Sequence, residues 1–484
     1  MIEAGVHIGG ESRAGSVAAT PLREPATGEE LASTALGGRD DVDAAVAAAR
    51  TALGGDWARA APTERSRLLH ALADAVRANR RELAELEARN VGKAIASVKA
   101  EHAAAVETFR LYASVAGSAT GRTGTLGGSL TYYSLKQPVG VCAQIVPWNY
   151  PLMLAAWKLA PALAAGCTVV LKPDPRTPLT ALRLAELAAE VGVPAGVVNV
   201  VPAEGPGAGA HLVSHPGVDK VAFTGSTATG GEIMRLCSRP IKRLTLELGG
   251  KSPNIVFADA DLDEAVPASV WSIYYSAGQS CEARSRLLVE RSAYDEVLAR
   301  FAEAAGRLRV GDPLDPETQM GSLVDDDHRR RVHGYVERAV GTGAELRLGG
   351  EITDGAGAFY PPTVLAGVDA GSEAAQEEIF GPVVAVTPFE DEADAIRIAN
   401  GVRYGLMATV WTGDPNRAQR LARRINAGTV GLNMPYTAFP GVAFGGFKQS
   451  GFGRELSPVA MEDYLEEKSV IVAAGTRPAN PFGL

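Results

Sequence analysis

Gly278-Gln279-Ser280-Cys281 is the stretch whose residue types are best suited to chemistry. It lies between an aromatic-rich segment, Trp271 to Ser276, and the strand-like run Arg286 to Val289, so one thiol stands just before a strand. A lone Cys in that setting is a candidate nucleophile, because a thiolate is intrinsically strong and local charge controls its formation. The plain structural alternative is a small buried hydrophobe, the commoner role of a free Cys. Cys142, Cys167 and Cys237 complete the set. Their wide spacings match no CxxC metal or redox pattern, and reduced thiols are expected.

The elements that would position such a thiol alternate. Val139 to Val146 reads as a strand before a helix from Pro151 to Ala165. Cys167 to Leu171 precedes a helix from Pro178 to Val191, Val197 to Val201 one ending near His215, and Lys220 to Phe223 one from Thr227 to Cys237. Leu244 to Glu247 closes the series. Alternation of this length predicts βαβ units and a doubly wound parallel sheet. Ligands of such sheets sit at the carboxyl ends of the strands. Those ends carry Pro147-Trp148-Asn149, Lys172-Pro173-Asp174, Phe223-Thr224-Gly225-Ser226 and Glu247-Leu248-Gly249-Gly250. No G-x-G-x-x-G follows any strand. The helix opening after Gly225 still offers backbone N–H groups to a phosphate. A second α/β unit begins at Pro253, with strand candidates Asn254 to Phe257, Arg286 to Glu290, Val383 to Pro388, Met407 to Trp411 and Gly428 to Leu432. Phe444 to Arg454 is too glycine-rich for a regular element. Before the first sheet, helices are expected from Arg39 to Leu53, from Pro62, and from Asn79 to Asn90.

Composition narrows the classes. The 484 residues suffice for two or three domains at about 100–200 residues each. A net charge of −9, without a basic patch beyond the short run Arg329-Arg330-Arg331, gives no electrostatic case for nucleic acid or anionic membrane. No apolar run approaches the roughly 18–20 residues that span a bilayer. The N-terminal residues, with Glu3 and His7, contain no apolar core of a secretory leader, so a cytoplasmic protein is expected. No metal site is expected: the seven histidines are scattered, and His211 and His215, four apart, lack a third ligand nearby.

Set side by side, these stretches resemble the aldehyde dehydrogenase superfamily, in its non-acylating NAD(P)-dependent branch. The resemblance rests on Pro147-Trp148-Asn149-Tyr150-Pro151, Lys172-Pro173, Phe223-Thr224-Gly225-Ser226, Glu247-Leu248-Gly249-Gly250-Lys251, Gly278-Gln279-Ser280-Cys281, Glu378-Ile379-Phe380-Gly381-Pro382 and Phe444-Gly445-Gly446, in order along nearly the whole chain. It implies that an aldehyde is oxidised to the acid. Thiolate addition turns the planar aldehyde into a thiohemiacetal whose oxyanion can expel hydride, and a carboxylate then activates the water that hydrolyses the thioester. It assigns Cys281 as nucleophile, Asn149 with the Cys281 backbone N–H as oxyanion donors, and Glu247 as base. It places Ile145, Val146, Pro147, Trp148, Lys172, Asp174, Pro175, Phe223, Thr224, Gly225, Ser226, Leu248, Gly249, Glu378 and Phe380 at the cofactor. Trp148 would lie towards the adenosine, with Glu378 and Phe380 at the nicotinamide. Tyr150, Leu154, Trp157, Ser280, Glu282, Ala438 and Phe444 would line the substrate tunnel.

Two departures qualify this. Many NAD-using members carry a Glu three residues after the Lys of Lys172, where this chain has Pro175. NAD with tolerance for NADP is therefore expected, with Asp174 a partial substitute for the missing acceptor. Glu282 directly follows the nucleophile and would favour cationic aldehydes if unpaired; pairing with Arg284 or Arg286 would cancel that. The mixed aromatic and aliphatic tunnel suggests a medium-sized apolar or aromatic aldehyde.

The expected organisation is a cofactor domain over 1–119 and 138–249, a catalytic domain over 250–448, and an oligomerisation arm with C-terminal segment over 120–137 and 449–484. Apolar edge strands in the arm predict a homodimer or homotetramer. The alternatives are a coenzyme A-acylating enzyme, a cofactor-free thiol hydrolase and a non-catalytic protein of the same fold. Glu247 opposes the first, the cofactor motifs the second, and the joint presence of Cys281, Asn149 and Glu247 the third.

Overall fold

The computed structural model describes residues 2–127, 130–203, 205–353, 355–435, 438–473 and 482–483. Its first sheet has eight strands. The five central ones are parallel and lie in the spatial order Arg243–Glu247, Lys220–Thr224, Val141–Ile145, Thr168–Lys172 and Val198–Val200. In chain order this is 5-4-1-2-3, so the winding reverses between Val141–Ile145 and Lys220–Thr224. A crevice opens at the carboxyl ends of strands flanking such a reversal. Val141–Ile145, Thr168–Lys172 and Lys220–Thr224 are buried along nearly their whole length because helices cover both faces, which is why they read as mostly apolar runs.

The helices Pro151–Ala165 and Thr227–Cys237 form where the sequence pattern sets them. The first starts with Pro at its opening position and ends on Gly166, whose left-handed φ of 93° closes it. A fourth N-terminal helix, Ile95–Val115, goes beyond the three expected. Its ring of buried residues includes Glu101 and His102, which interrupt the apolar stripe that would reveal it.

The second sheet has seven strands, in the order Glu345–Leu348, Thr363–Ala366, Val383–Phe389, Arg286–Glu290, Pro253–Val256, Met407–Trp411 and Thr429–Leu432. All neighbours pair in parallel except the first two. Two small strands interrupt the glycine-rich stretch: Phe447–Lys448 pairs with Tyr404–Gly405, and Gly451–Phe452 joins the first sheet antiparallel to Arg243–Glu247. In the expected C-terminal segment, Gly451–Phe452 thus pairs with the first sheet, and Ala460, Met461 and Tyr464 are buried in the core beside it. The arm itself is a three-stranded antiparallel sheet of Thr123–Gly127, Leu130–Pro138 and Leu465–Ala473. Residues 128–129, 474–481 and 484 of the expected arm and C-terminal segment lie outside the described residues. Among the described residues, no helix is long and apolar enough to cross a membrane.

Candidate active site

Cys281 is placed by an unusual turn. The helix Leu262–Tyr274 stops, and Ser276, Ala277 and Gly278 take left-handed φ values of 53°, 54° and 69° in succession. For the two non-glycine residues such backbone costs on the order of 1–3 kcal/mol each, a reserve typical of functional loops. Gly278 has a second constraint: a Cβ there would stand 2.1 Å from the Gly381 carbonyl oxygen. Gln279 locks the turn, its Nε2 donating to the Ser276 carbonyl at 3.2 Å and its Oε1 accepting the Val324 N–H at 2.9 Å.

Asn149 approaches from the first sheet and donates its Nδ2 to the Gln279 carbonyl at 2.8 Å. Its amide thus sits beside the backbone of the nucleophile loop. Glu247 ends the strand Arg243–Glu247, and the two glycines after it have an identifiable purpose. A Cβ on Gly249 would stand 2.4 Å from Glu378 Oε2, and one on Gly250 would stand 2.2 Å from the Cys281 carbonyl oxygen. Only bare backbone lets the strand end pass between Glu378 and the nucleophile loop. Glu378 Oε1 in turn accepts the Gly250 N–H at 2.9 Å.

This crowding of acids sets the electrostatics. Burial, then the carboxylates of Glu247, Glu282 and Glu378, push the Cys281 thiol well above its usual range. Burial, then Glu455, push Glu247 well above the usual carboxylate range, with Lys158 opposing. Glu247 lies beside the thiol, but neither of its buried oxygens has a hydrogen bond of normal geometry. Glu378 is raised by burial to about 7. Lys158 and Glu455, joined at 2.5 Å behind Glu247, are charged groups of the site that the sequence did not single out.

Two cavities meet at Cys281. One, of about 500 Å³, lies at the winding reversal. Its walls include every expected cofactor residue except Pro175: Ile145 to Trp148, Lys172, Asp174, Phe223 to Ser226, Leu248, Gly249, Glu378 and Phe380. The Thr227–Cys237 helix opens into it, with Ser226 as N-cap accepting the Thr229 N–H at 3.2 Å. Arg176, Arg331 and Arg403 add cations to the rim that sequence reasoning missed. Arg331 comes from the short basic run Arg329-Arg330-Arg331. In place of Pro175 the wall presents Arg176, which holds Asp174 through Nε and Nη2 at 2.9 and 3.0 Å and also contacts Asp325 at 3.0 Å. Asp174, expected as a partial substitute acceptor, thus lies on the cleft wall paired with a guanidinium. Trp148 and Phe380, expected at different ends of the cofactor, have ring centroids 5.3 Å apart and share one end of the cleft.

The other cavity, of about 800 Å³, reaches Cys281 from the opposite side. Tyr150, Ser280, Glu282 and Ala438 line it as expected. Leu154 faces the cofactor-side cleft instead. Trp157 and Phe444 lie off its wall, because both are buried and pack edge to face with ring centroids 5.1 Å apart. Their places are taken by Met153, Trp271, Tyr274, Tyr275 and Glu101. The aromatic run before the nucleophile was the available signal for three of these. Glu282 lies 3.5 Å from Arg284, whereas Arg286 donates to the backbone carbonyls of Lys251, Ile398 and Ala399.

A model of the aldehyde dehydrogenase family matches residues 13–470. The chain belongs to this family. Among relatives of the aldehyde dehydrogenase chain, human retinal dehydrogenase 2 is 43% identical over 93% of this chain and 88% of its own length. Betaine aldehyde dehydrogenase of Bacillus subtilis is 41% identical over 94% of each. An NAD+ complex of aldehyde dehydrogenase from Bacillus cereus superposes with a TM-score of 0.96 at 43% identity, covering 97% of this chain and 96% of that one.

Off the walls of both cavities, Asp43 Oδ1 lies 2.6 Å from His211 Nε2 and 3.3 Å from His215 Nε2. The helix Arg39–Gly54 so supplies the third group that the sequence neighbourhood lacks, the one such trio among the described residues. His215 Nδ1 accepts the Gly217 N–H at 2.9 Å, which puts the neutral ring's proton on Nε2, facing the carboxylate. The trio reads as a hydrogen-bonded surface cluster.

Proposed function

We propose that this protein oxidises an aldehyde to its carboxylic acid with NAD as hydride acceptor. The observation that carries the reading is that Cys281 lies on the walls of both cavities. An aldehyde entering through the aromatic tunnel and a dinucleotide in the cleft would meet at one sulfur. The cleft suits a dinucleotide on its own features: strand carboxyl ends, a helix N-terminus, Lys172, and the buried carboxyl of Glu378. Lys172 and Glu378 would hold the two riboses, and the first turn after Ser226 the pyrophosphate. NAD bound there supplies the acceptor for the hydride that leaves the adduct.

The chain's own residues do the rest. Cys281 Sγ gives its proton to the neighbouring Glu247 and adds to the carbonyl carbon. Asn149 Nδ2 and the Cys281 N–H bind the resulting oxyanion; one such donor is typically worth about 2.7–4 kcal/mol of barrier. After hydride loss a thioester remains on Cys281; Glu247, once it has released the thiol proton to solvent, takes a proton from the water that attacks the acyl carbon, and the Cys281 thiolate leaves. The substrate is a medium-sized apolar or aromatic aldehyde, because the tunnel is walled by Tyr150, Met153, Trp271, Tyr274 and Tyr275 and Glu282 is compensated by Arg284. The protein acts in the cytoplasm as a homodimer or homotetramer. Absorbance of reduced nicotinamide, with an aldehyde panel and NAD or NADP, with and without coenzyme A, tests the reading. Reduction without coenzyme A is expected, and strict dependence on coenzyme A would overturn it.

A further inference from the structure

Beneath the Asn149 loop lies a cluster of charged side chains that take no part in the steps above, although Glu101 also reaches the tunnel wall. Lys93 and Glu101 pair directly, and both are buried. Lys93 Nζ also lies 4.0 Å from Glu87 Oε1 and donates to the Asn149 carbonyl at 2.9 Å. It stands 4.1 Å from the centre of the Tyr150 ring. Glu87 grips the other side of the same loop, accepting the Leu152 N–H at 3.1 Å and the Thr180 hydroxyl at 2.8 Å. Burial would raise Glu87, but His102 and Lys93 override it and hold the carboxyl at about 2.

Taking such charges out of water costs several kcal/mol per ion, and hydrophobic replacements are often equally stable. A fold needing only to fill this space would not require them. What the cluster does locally is hold both ends of the segment from Asn149 to Leu152, through the Asn149 carbonyl and the Leu152 N–H. We propose that Lys93, held between Glu87 and Glu101, is the positioning residue of the oxyanion donor Asn149. This rests on the role given to Asn149 above. An oxyanion donor acts only when fixed at the place where charge develops, and a displacement of about 1 Å can cost about 100-fold in rate.

The test is a double-mutant cycle on the full chain. Lys93→Met combined with Glu101→Gln removes both charges together, so neither is left buried alone; Lys93→Gln is the second form, retaining a polar donor. Asn149→Ala is expected to lower kcat by about 10²–10³-fold, the typical loss for one oxyanion donor. The Lys93 variants are expected to lower kcat at least 10-fold, with KM for NAD and the alkylation rate of Cys281 unchanged. In the Asn149→Ala background they are expected to cost less than a further 2-fold. Losses that multiply in that background, or that appear equally in KM and alkylation, would overturn the proposal. Undiminished turnover in Asn149→Ala would instead overturn the oxyanion assignment on which it rests.

Discussion

Cys281 and Glu247 are adjacent buried acids, and each holds its proton more tightly than usual. Each is pushed up by burial first, and then by the acids around it. The two titrate as a unit, and activity requires that the unit lose its proton. Both shifts are upward, so kcat/KM should rise with pH through a midpoint well above the ordinary carboxylate range and fall as the pair is reprotonated. A pH–rate profile flat from pH 5 to 9 would contradict this. Glu247→Gln removes a negative charge that disfavours the thiolate, so the pH midpoint for alkylation of Cys281 by iodoacetamide should move down. A midpoint that stays or rises would show that Glu247 does not act on the thiol. At the cofactor, Arg176 rather than Pro175 faces the cleft and engages Asp174. Arg176→Glu should raise the NAD-to-NADP ratio of kcat/KM by about an order of magnitude or more, since it replaces a cation on the cleft wall with a carboxylate that repels a 2′-phosphate. Paired kinetics with the two cofactors measures it.

At the scale of elements, the site is built from chain ends that approach more closely than side chains allow. Gly250 faces the Cys281 carbonyl, and Gly278 carries a left-handed turn against the Gly381 carbonyl. Gly250→Ala should displace the nucleophile loop and lower kcat by at least 10-fold while leaving NAD affinity within a few-fold. Titration calorimetry beside steady-state rates separates the two. Much of this was legible in the sequence, because buried parallel strands and their crossover helices carry strong periodic signals. Met407–Trp411, Pro151–Ala165 and Thr227–Cys237 fall at the residues the pattern indicates. The glycines and polar residues at the strand ends were legible for the same reason. The helix Ile95–Val115 was not, since Glu101 and His102 sit where an apolar stripe should run. Their partners, Glu87 and Lys93, are supplied by tertiary contacts that no local pattern encodes. Nor could periodicity show that Trp157 and Phe444 stack on each other while Trp271 and Tyr275 face the tunnel.

For the whole molecule, the two sheets place the cleft of one and the tunnel beside the other on either side of a single sulfur. The arm presents a different kind of surface. Leu126, Leu130, Tyr133, Leu135, Ile471 and Val472 are exposed on its sheet, Ile471 at 65%. A sheet this apolar is expected to be covered by another copy. Ile471→Lys should shift the protein towards monomer in light scattering, with the monomer retaining the ability to bind NAD. An assembly unchanged in mass would remove the arm from the interface.

In the proposed reaction, chemistry passes through a thioester on Cys281 that Glu247 helps to hydrolyse. Rapid mixing of Glu247→Gln with aldehyde and NAD, followed by intact-mass and peptide spectrometry, tests it most directly. A burst of reduced nicotinamide of about one equivalent per chain is expected, with an acyl group of the substrate's mass on Cys281 that persists while turnover is slow. Full steady-state turnover with no acyl group on Cys281, or an acyl group on another residue, would contradict it.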